Sequence, residues 1–309
     1  MNSRNLVLFY GNNLSTQILT SRLSARLTEL GHRVFFIHST RSQKAAYSKE
    51  SAWPEVYYSV ILLEKFIFPF LDSQPFLPDA AAGSPDQLAE RYGTSLLRVS
   101  KSEVNTSQTL EFLTSHDIHG GISVRFPFIF SEPILSYFQG SSSSGLPRFL
   151  WNLHSAILPR YAGYAPFRWV MFNEEPTASF TLHKLEKSID SGDILAIRPQ
   201  VIDYSLDLIS AFLELIPSAV DMTVESVQKL VDGEELDLVP ASPTESRQYY
   251  PRLTPEDRHR MVEKGLKFVD LPRLKTTYLE NFSKPGTTHY KEFERLLNEV
   301  LGPPDGLYG

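Results

Sequence analysis

The 309-residue chain is 42% hydrophobic and 21% charged, carries a formal net charge of -6 and contains no cysteine. This composition supports a sizeable core, in one large α/β domain with an appendage or in two smaller domains. Its mild acidity gives no general attraction to nucleic acid or to an anionic membrane. Disulfides, thiolate catalysis and cysteine-ligated zinc are excluded. The apolar run over residues 6–10 is too short for a signal-peptide core, and no stretch approaches the ~20 apolar residues of a membrane span, so the expected location is the cytoplasm.

Taken in chain order, the run at 6–10 ends at Gly11 and predicts a buried strand. Leu14, Ile18, Leu19, Leu23, Leu27 and Leu30 fall at helical spacing and predict a helix over 14–30, stopped by Gly31. A second buried strand is expected at 34–37. Strand, helix, strand in that order is a βαβ unit, which implies a parallel sheet with a right-handed crossover. Residues 40–83 are less regular, with a helix expected over 53–71 and then a proline-rich loop through 74–85. Helices are expected at 85–92 and 106–115, a strand at 121–124 and a helix at 131–137. Ser141 to Ser144, between Gly140 and Gly145, reads as a flexible connector to a strand at 148–153. Strands at 178–185 and 194–201 follow, then a long helix over 206–230 with a kink at Pro217. Beyond Val239 prolines punctuate the pattern. Thr254-Pro255-Glu256-Asp257 is a good helix start, and 289–301 reads as a final helix.

The segment from Trp151 to Leu195 carries the chemistry. Asn152 and His154 are two apart at the end of an expected strand, so their side chains share one face. Strand ends of open α/β sheets are where sites form. An Asn amide can stabilise a developing oxyanion, and a His can move a proton near neutral pH. Asp190 sits in a glycine-containing turn, where a carboxylate can hold an imidazole and favour its protonated form. Together these suit attack of an amine on an acyl carbon. Spacing alone leaves another reading open: an N-x-H at a strand end and a D-x-G turn also occur as plain structure.

The surrounding residues resemble the folate-dependent formyltransferase family, whose members act on glycinamide ribonucleotide, methionyl-tRNA and amino sugars. Asn152, His154, Leu158, Pro159, Gly163, Thr181, His183, Asp190 and Gly192 match that family's N-x-H, L-P, G, T-x-H and D-x-G pattern in order and separation. Two positions depart from it: Ala156 stands where a Ser is usual, and Ala162 where an Arg often precedes the Gly. The resemblance covers roughly residues 85–205. It implies an open, mostly parallel twisted sheet with flanking helices, a Rossmann variant, over residues 1–239. An irregular C-terminal extension over 240–309 would serve substrate binding or dimerisation. It also implies N10-formyltetrahydrofolate as formyl donor, no metal, and a catalytic set of Asn152 (oxyanion), His154 (general acid/base) and Asp190 (orienting His154 and relaying protons). By the same resemblance, the folate pocket would be lined by Phe128, Ile129 and Phe130 and by Glu186, Lys187, Ser188 and Ile189. Plain core packing is the expected role of at least one of Phe126, Phe128 and Phe130.

Tyr10, Gly11 and Asn12 follow the first strand without a G-x-G-x-x-G pattern, so a dinucleotide is not expected; with Ser155 and Gly163 they are the substrate-side candidates. His116 and His119 lack a third metal ligand in sequence, and His183 reads as a strand residue near the site. Charges over 245–309 nearly balance, which argues against a tRNA-gripping tail. The expected acceptor is the amine of a small metabolite: an amino-sugar nucleotide first, a hydroxyornithine-type siderophore precursor close behind. No nucleic-acid or membrane partner is expected, and a homodimer stays open. The rival readings are a formyltetrahydrofolate hydrolase and a non-catalytic folate- or partner-binding protein.

Overall fold

A computed structural model describes residues 3–40, 53–74, 77, 79–240 and 248–302. Parts of the irregular 40–83 segment and its proline loop fall outside these residues. Seven strands form one sheet: β1 Asn5–Tyr10, β2 Arg33–Ser39, β3 Leu96–Val99, β4 Gly120–Val124, β5 Phe149–His154, β6 Thr181–Lys184 and β7 Ile194–Ile197, in the order β3-β2-β1-β4-β5-β6-β7. The first five are parallel, β6 is antiparallel to β5, and β7 is antiparallel to β6. The open, mostly parallel sheet is therefore as expected.

The central strand β1 is apolar from Leu6 to Tyr10 because helices cover both faces of the sheet. Leu6, Leu8 and Tyr10 point into the layer that holds the helix α1 (Leu14–Glu29), and Val7 and Phe9 point into the opposite layer. Asn13 starts α1 by accepting a hydrogen bond from the Thr16 amide at 2.9 Å. The helix expected over 53–71 is present as consecutive helical turns over 54–73, two of them widened into π turns at Tyr57–Ile61 and Leu63–Ile67. The helix expected over 206–230 is two, Leu208–Leu213 and Ile216–Asp232, since Pro217 lacks the amide that an uninterrupted helix needs and sits in the first turn of the second.

Several elements have no counterpart among the expectations, among them the helix Pro166–Phe172. β3 is a short edge strand that is mostly half-buried, so it offers no continuous apolar run. The helix Leu271–Phe282 begins at Asp270, whose side chain accepts from the Arg273 amide at 3.0 Å.

Residues beyond 250 pack into the same apolar cluster as α1 and the sheet: Met261, Leu274, Tyr278, Phe282, Phe293 and Leu297 all belong to it. The buried Tyr278 hydroxyl donates to the Tyr58 carbonyl at 2.7 Å, and Phe293 stacks on Phe70 with centroids 5.4 Å apart. Truncating Phe293 to Ala should therefore destabilise the whole chain by about 3–5 kcal/mol. The check is urea denaturation followed by far-UV circular dichroism and by tryptophan fluorescence. Both midpoints are expected to fall together; a loss confined to a small early step would contradict a shared core.

Candidate active site

β5 lies where the sheet changes from parallel to antiparallel, between β4 and β6. Asn152 stands opposite Ser123 on one side and His183 on the other, and His154 stands opposite Thr181. The T-x-H pair thus has two mechanical roles. The Thr181 hydroxyl donates to the Ala156 carbonyl at 2.6 Å and accepts from the Leu158 amide at 3.1 Å, pinning the loop that leaves β5. His183 Nδ1 lies 2.7 Å from the Lys184 carbonyl, to which only an N–H can donate. Nε2 is then the acceptor, taking a hydrogen bond from Asn152 Nδ2 at 3.0 Å. This fixes the Asn152 amide and leaves its second N–H for another acceptor. His183 is a positioning residue whose role the spacing does not reveal.

His154 is buried, with Nδ1 3.4 Å from Asp190 Oδ1 and Nε2 2.6 Å from the Tyr161 carbonyl. Both ring nitrogens face acceptors, so the doubly protonated ring satisfies both contacts at once. Asp190 Oδ2 accepts from the Gly163 amide at 3.0 Å, and Oδ1 lies 3.8 Å from His183 Nε2. Burial pushes the Asp190 carboxyl up, but the His154 charge and hydrogen bond, the Gly163 amide and His183 outweigh it and hold the group down at about 2.

The glycines of the motif follow from contact distances. A Cβ on Gly192 would lie 2.0 Å from the Lys184 carbonyl oxygen, so the Asp190 turn closes onto β6 only with glycine there. Gly163 has φ +103°, and a Cβ there would lie 2.5 Å from the Tyr250 carbonyl oxygen. Asp190 itself is left-handed, at φ 51°. Arg125 and Ala165, at φ 49° and 48°, share that conformation, and all three residues line one cleft. Backbone held this way by its surroundings gathers at ligand sites.

The cleft encloses about 1030 Å3, and Asn152, His154 and Asp190 meet on its wall. Phe128 and Ile129 on the loop after β4 and residues 186–189 before Asp190 also line it. Ile129 and Ile189 are exposed there, 59% and 40%. The backbone amides of Phe128, Glu186 and Lys187 find no acceptor among the described residues. An apolar slot edged by open backbone donors suits a flat, polar heterocycle. Phe130 lines the cleft too, but its ring is 3% exposed and stacks on Phe126, so most of its side chain packs in the core.

On the substrate side, Gly11, Asn12, Ser155 and Gly163 line the cleft, and Asn12 hydrogen-bonds Glu64. Tyr10 does not. Strand alternation sends its ring into the α1 layer against Phe36 and His38, with no exposure, which corrects its assignment as a substrate-side residue. His116 stacks on Phe35, His119 Nδ1 accepts from the Asn5 amide, and no group of three metal-ligating side chains occurs among the described residues. No described helix is long and apolar enough to cross a membrane.

Several cleft residues were not anticipated. Arg125 reaches Ser15 Oγ at 2.6 Å and Asn13 Oδ1 at 3.3 Å and lies over the Phe212 ring. Burial, then the charge of Arg168, draw its guanidinium down to about 10. Glu55 pairs with Arg168 at 3.0 Å. Tyr249 and Arg252 come from beyond residue 240.

No family model matches the chain. Sequence relatives do. One is a methionyl-tRNA formyltransferase of Levilactobacillus brevis, 28% identical over 120 residues, or 38% of this chain and 37% of that one. Another is the bifunctional polymyxin resistance protein ArnA of Wigglesworthia glossinidia brevipalpis, 48% identical over 46 residues, or 15% and 7%. The chain spans less than half the length of such relatives. Among solved structures, the phosphoribosylglycinamide formyltransferase of Anaplasma phagocytophilum aligns over 81% of this chain and 99% of its own, at 11% identity and a TM-score of 0.53. WlaRD, a sugar 3N-formyltransferase, aligns over 86% and 82%, at 13% identity and a TM-score of 0.51. The fold is thus that of a formyltransferase-type α/β protein. The sequence matches relate the chain to the formyltransferases.

The depressed titration of Asp190 makes its charge a stabilising feature. The folded carboxyl titrates near 2 against an ordinary 3.8, so its contribution is fully present above about pH 4 and is lost as pH falls through 2. Asp190→Asn should cost about 2 kcal/mol at pH 7. Urea midpoints of the two proteins should converge as pH drops from 4 toward 2. An equal difference at both ends would show that the carboxylate charge is not what stabilises this turn.

Proposed function

We propose that the chain is an N10-formyltetrahydrofolate-dependent N-formyltransferase acting on the amine of a small metabolite. The observation that carries this reading is the convergence of Asn152, His154 and Asp190 on one wall of a cleft whose neighbouring slot has open backbone donors. The donor supplies a formyl carbon and a leaving nitrogen. Phe128, Ile129 and the 186–189 loop would hold its flat ring system, with the open amides of Phe128, Glu186 and Lys187 as hydrogen-bond donors. The second N–H of Asn152 faces the oxygen that gains negative charge as the amine adds. His154 in its neutral form takes the proton that the attacking amine must lose, becoming the charged ring that Asp190 balances, and then gives that proton to the departing nitrogen. Asp190, far too acidic to hold that proton at neutral pH, keeps the ring in place and stabilises its charged form.

The acceptor we favour is an amino-sugar nucleotide. Supporting it are the polar side chains of Asn12, Glu64 and Arg125 on the walls of the same cleft, and the overall likeness in fold to a sugar 3N-formyltransferase. Methionyl-tRNA belongs beside it in any acceptor panel, because sequence relatives carry that name. A hydroxylated ornithine is the third class to include.

Asn152→Ala and His154→Ala are expected to lower formyl transfer by roughly 100-fold or more. Affinity for a non-transferable folate, measured by calorimetry, should stay within about threefold. Full activity in both variants would end the assignment. Formate release by the wild type at an undiminished rate without any amine would favour the hydrolase reading instead.

A further inference from the structure

The two residues Tyr249–Tyr250 form a short parallel ladder with Ala162–Gly163, the segment that touches both members of the His–Asp pair. Tyr161 offers its carbonyl to His154 Nε2 at 2.6 Å, and Gly163 donates its amide to Asp190 Oδ2 at 3.0 Å. Three consecutive residues thus fix the imidazole at one end and the carboxylate at the other. Tyr161 is held by the Ile157 carbonyl at 3.2 Å and by Glu175 at 2.7 Å, and much of the rest of what fixes this segment comes from beyond residue 240. The Ala162 amide donates to the Gln248 carbonyl at 3.1 Å, and the Tyr164 amide donates to the Tyr250 carbonyl at 3.0 Å.

The Tyr250 ring, 8% exposed, stacks on the Tyr161 ring at 4.8 Å and 11°. Asn173 Nδ2 donates to the hydroxyls of both tyrosines, at 3.0 and 3.2 Å. Trp169 closes the arrangement: its ring lies 5.0 Å from that of Tyr250, and its Nε1 donates to the Pro251 carbonyl at 2.9 Å.

We infer that Tyr250 is a positioning residue for the reaction, setting the separation of His154 and Asp190 through the stacked Tyr161, so that the C-terminal segment is part of the catalytic apparatus. The inference rests on the proposed roles of His154 and Asp190. Its physical basis is leverage. Without the stacked ring, the 161–163 backbone loses its outer wall, and a shift of about 1 Å there moves both partners of the imidazole. Among the described residues His154 makes no hydrogen bond besides those to the Tyr161 carbonyl and Asp190, so its orientation follows these two partners.

The test uses the full chain and two readouts. In the first, Tyr250→Ala is expected to lower kcat for formyl transfer by roughly 10- to 100-fold, with KM for the donor changed less than about threefold. Tyr250→Phe keeps the stack and should restore wild-type turnover. In the second, 15N NMR follows the ring nitrogens of His154 against pH without substrates, the resonances being identified by their loss in His154→Gln. Asp190 and His183 are the titratable groups nearest the ring, and both are unaltered in these variants. The His154 ring shifts or titration midpoint should move in Tyr250→Ala and not in Tyr250→Phe. If Tyr250→Ala does not fold, Tyr250→Leu fills the volume without the flat stack and takes its place. An unchanged His154 titration in a folded Tyr250→Ala or Tyr250→Leu protein would overturn the inference, whatever happens to turnover. The NMR arm needs no formyl transfer, so its failure is separate from failure of the transferase assignment.

Discussion

A carboxylate removed from water must be met by charge or by hydrogen-bond donors, or it gives up its charge. Asp190 is met by His154 on β5 and by the Gly163 amide on the loop between β5 and β6, with His183 of β6 beside it at 3.8 Å. That single requirement organises the site. It calls for β6 beside β5, for a glycine at 192 to bring the turn against Lys184, and for a glycine at 163 to turn its amide inward beneath Tyr250. Remove the carboxylate and the imidazole loses its counter-charge, while Gly163 loses its acceptor.

The same interaction links the chemistry to the rest of the fold. β5 is buried between β4 and β6, so Asn152 and His154 project from a strand that cannot shift without moving the sheet. The groups around them are less regular. Arg125, Ala165 and Asp190 all hold left-handed backbone along the cleft, a conformation disfavoured for residues with a side chain. Rigid strands thus carry two of the proposed reacting side chains, and constrained loops carry the third together with the ligand-facing walls.

Much of this was legible in the sequence, for reasons that can be named. Buried parallel strands must be apolar on both faces, so β1 and β2 stood out, and the helix cap at Thr254 marked a start that the structure retains. The catalytic candidates lie within 39 residues, from 152 to 190, and their glycines answer steric needs that leave few substitutes. What was not legible depends on distant partners. The ladder between Tyr249–Tyr250 and Ala162–Gly163 is two residues long and joins segments nearly 90 residues apart, too little pattern for periodicity to register. β3 is a half-buried edge. Tyr10 misled because it sits beside Gly11: one step of strand alternation separates a cleft residue from a core one.

The account stands or falls on whether a formyl group leaves the carrier for an amine. The most direct measurement is to supply 13C-labelled N10-formyltetrahydrofolate and follow the label by mass spectrometry across amino-sugar nucleotides, hydroxylated ornithines and methionyl-tRNA. The account predicts an N-formylated product carrying the label, formed in step with tetrahydrofolate and only when the amine is present. Label recovered solely as formate, or no release with any acceptor despite measurable donor binding, would contradict it.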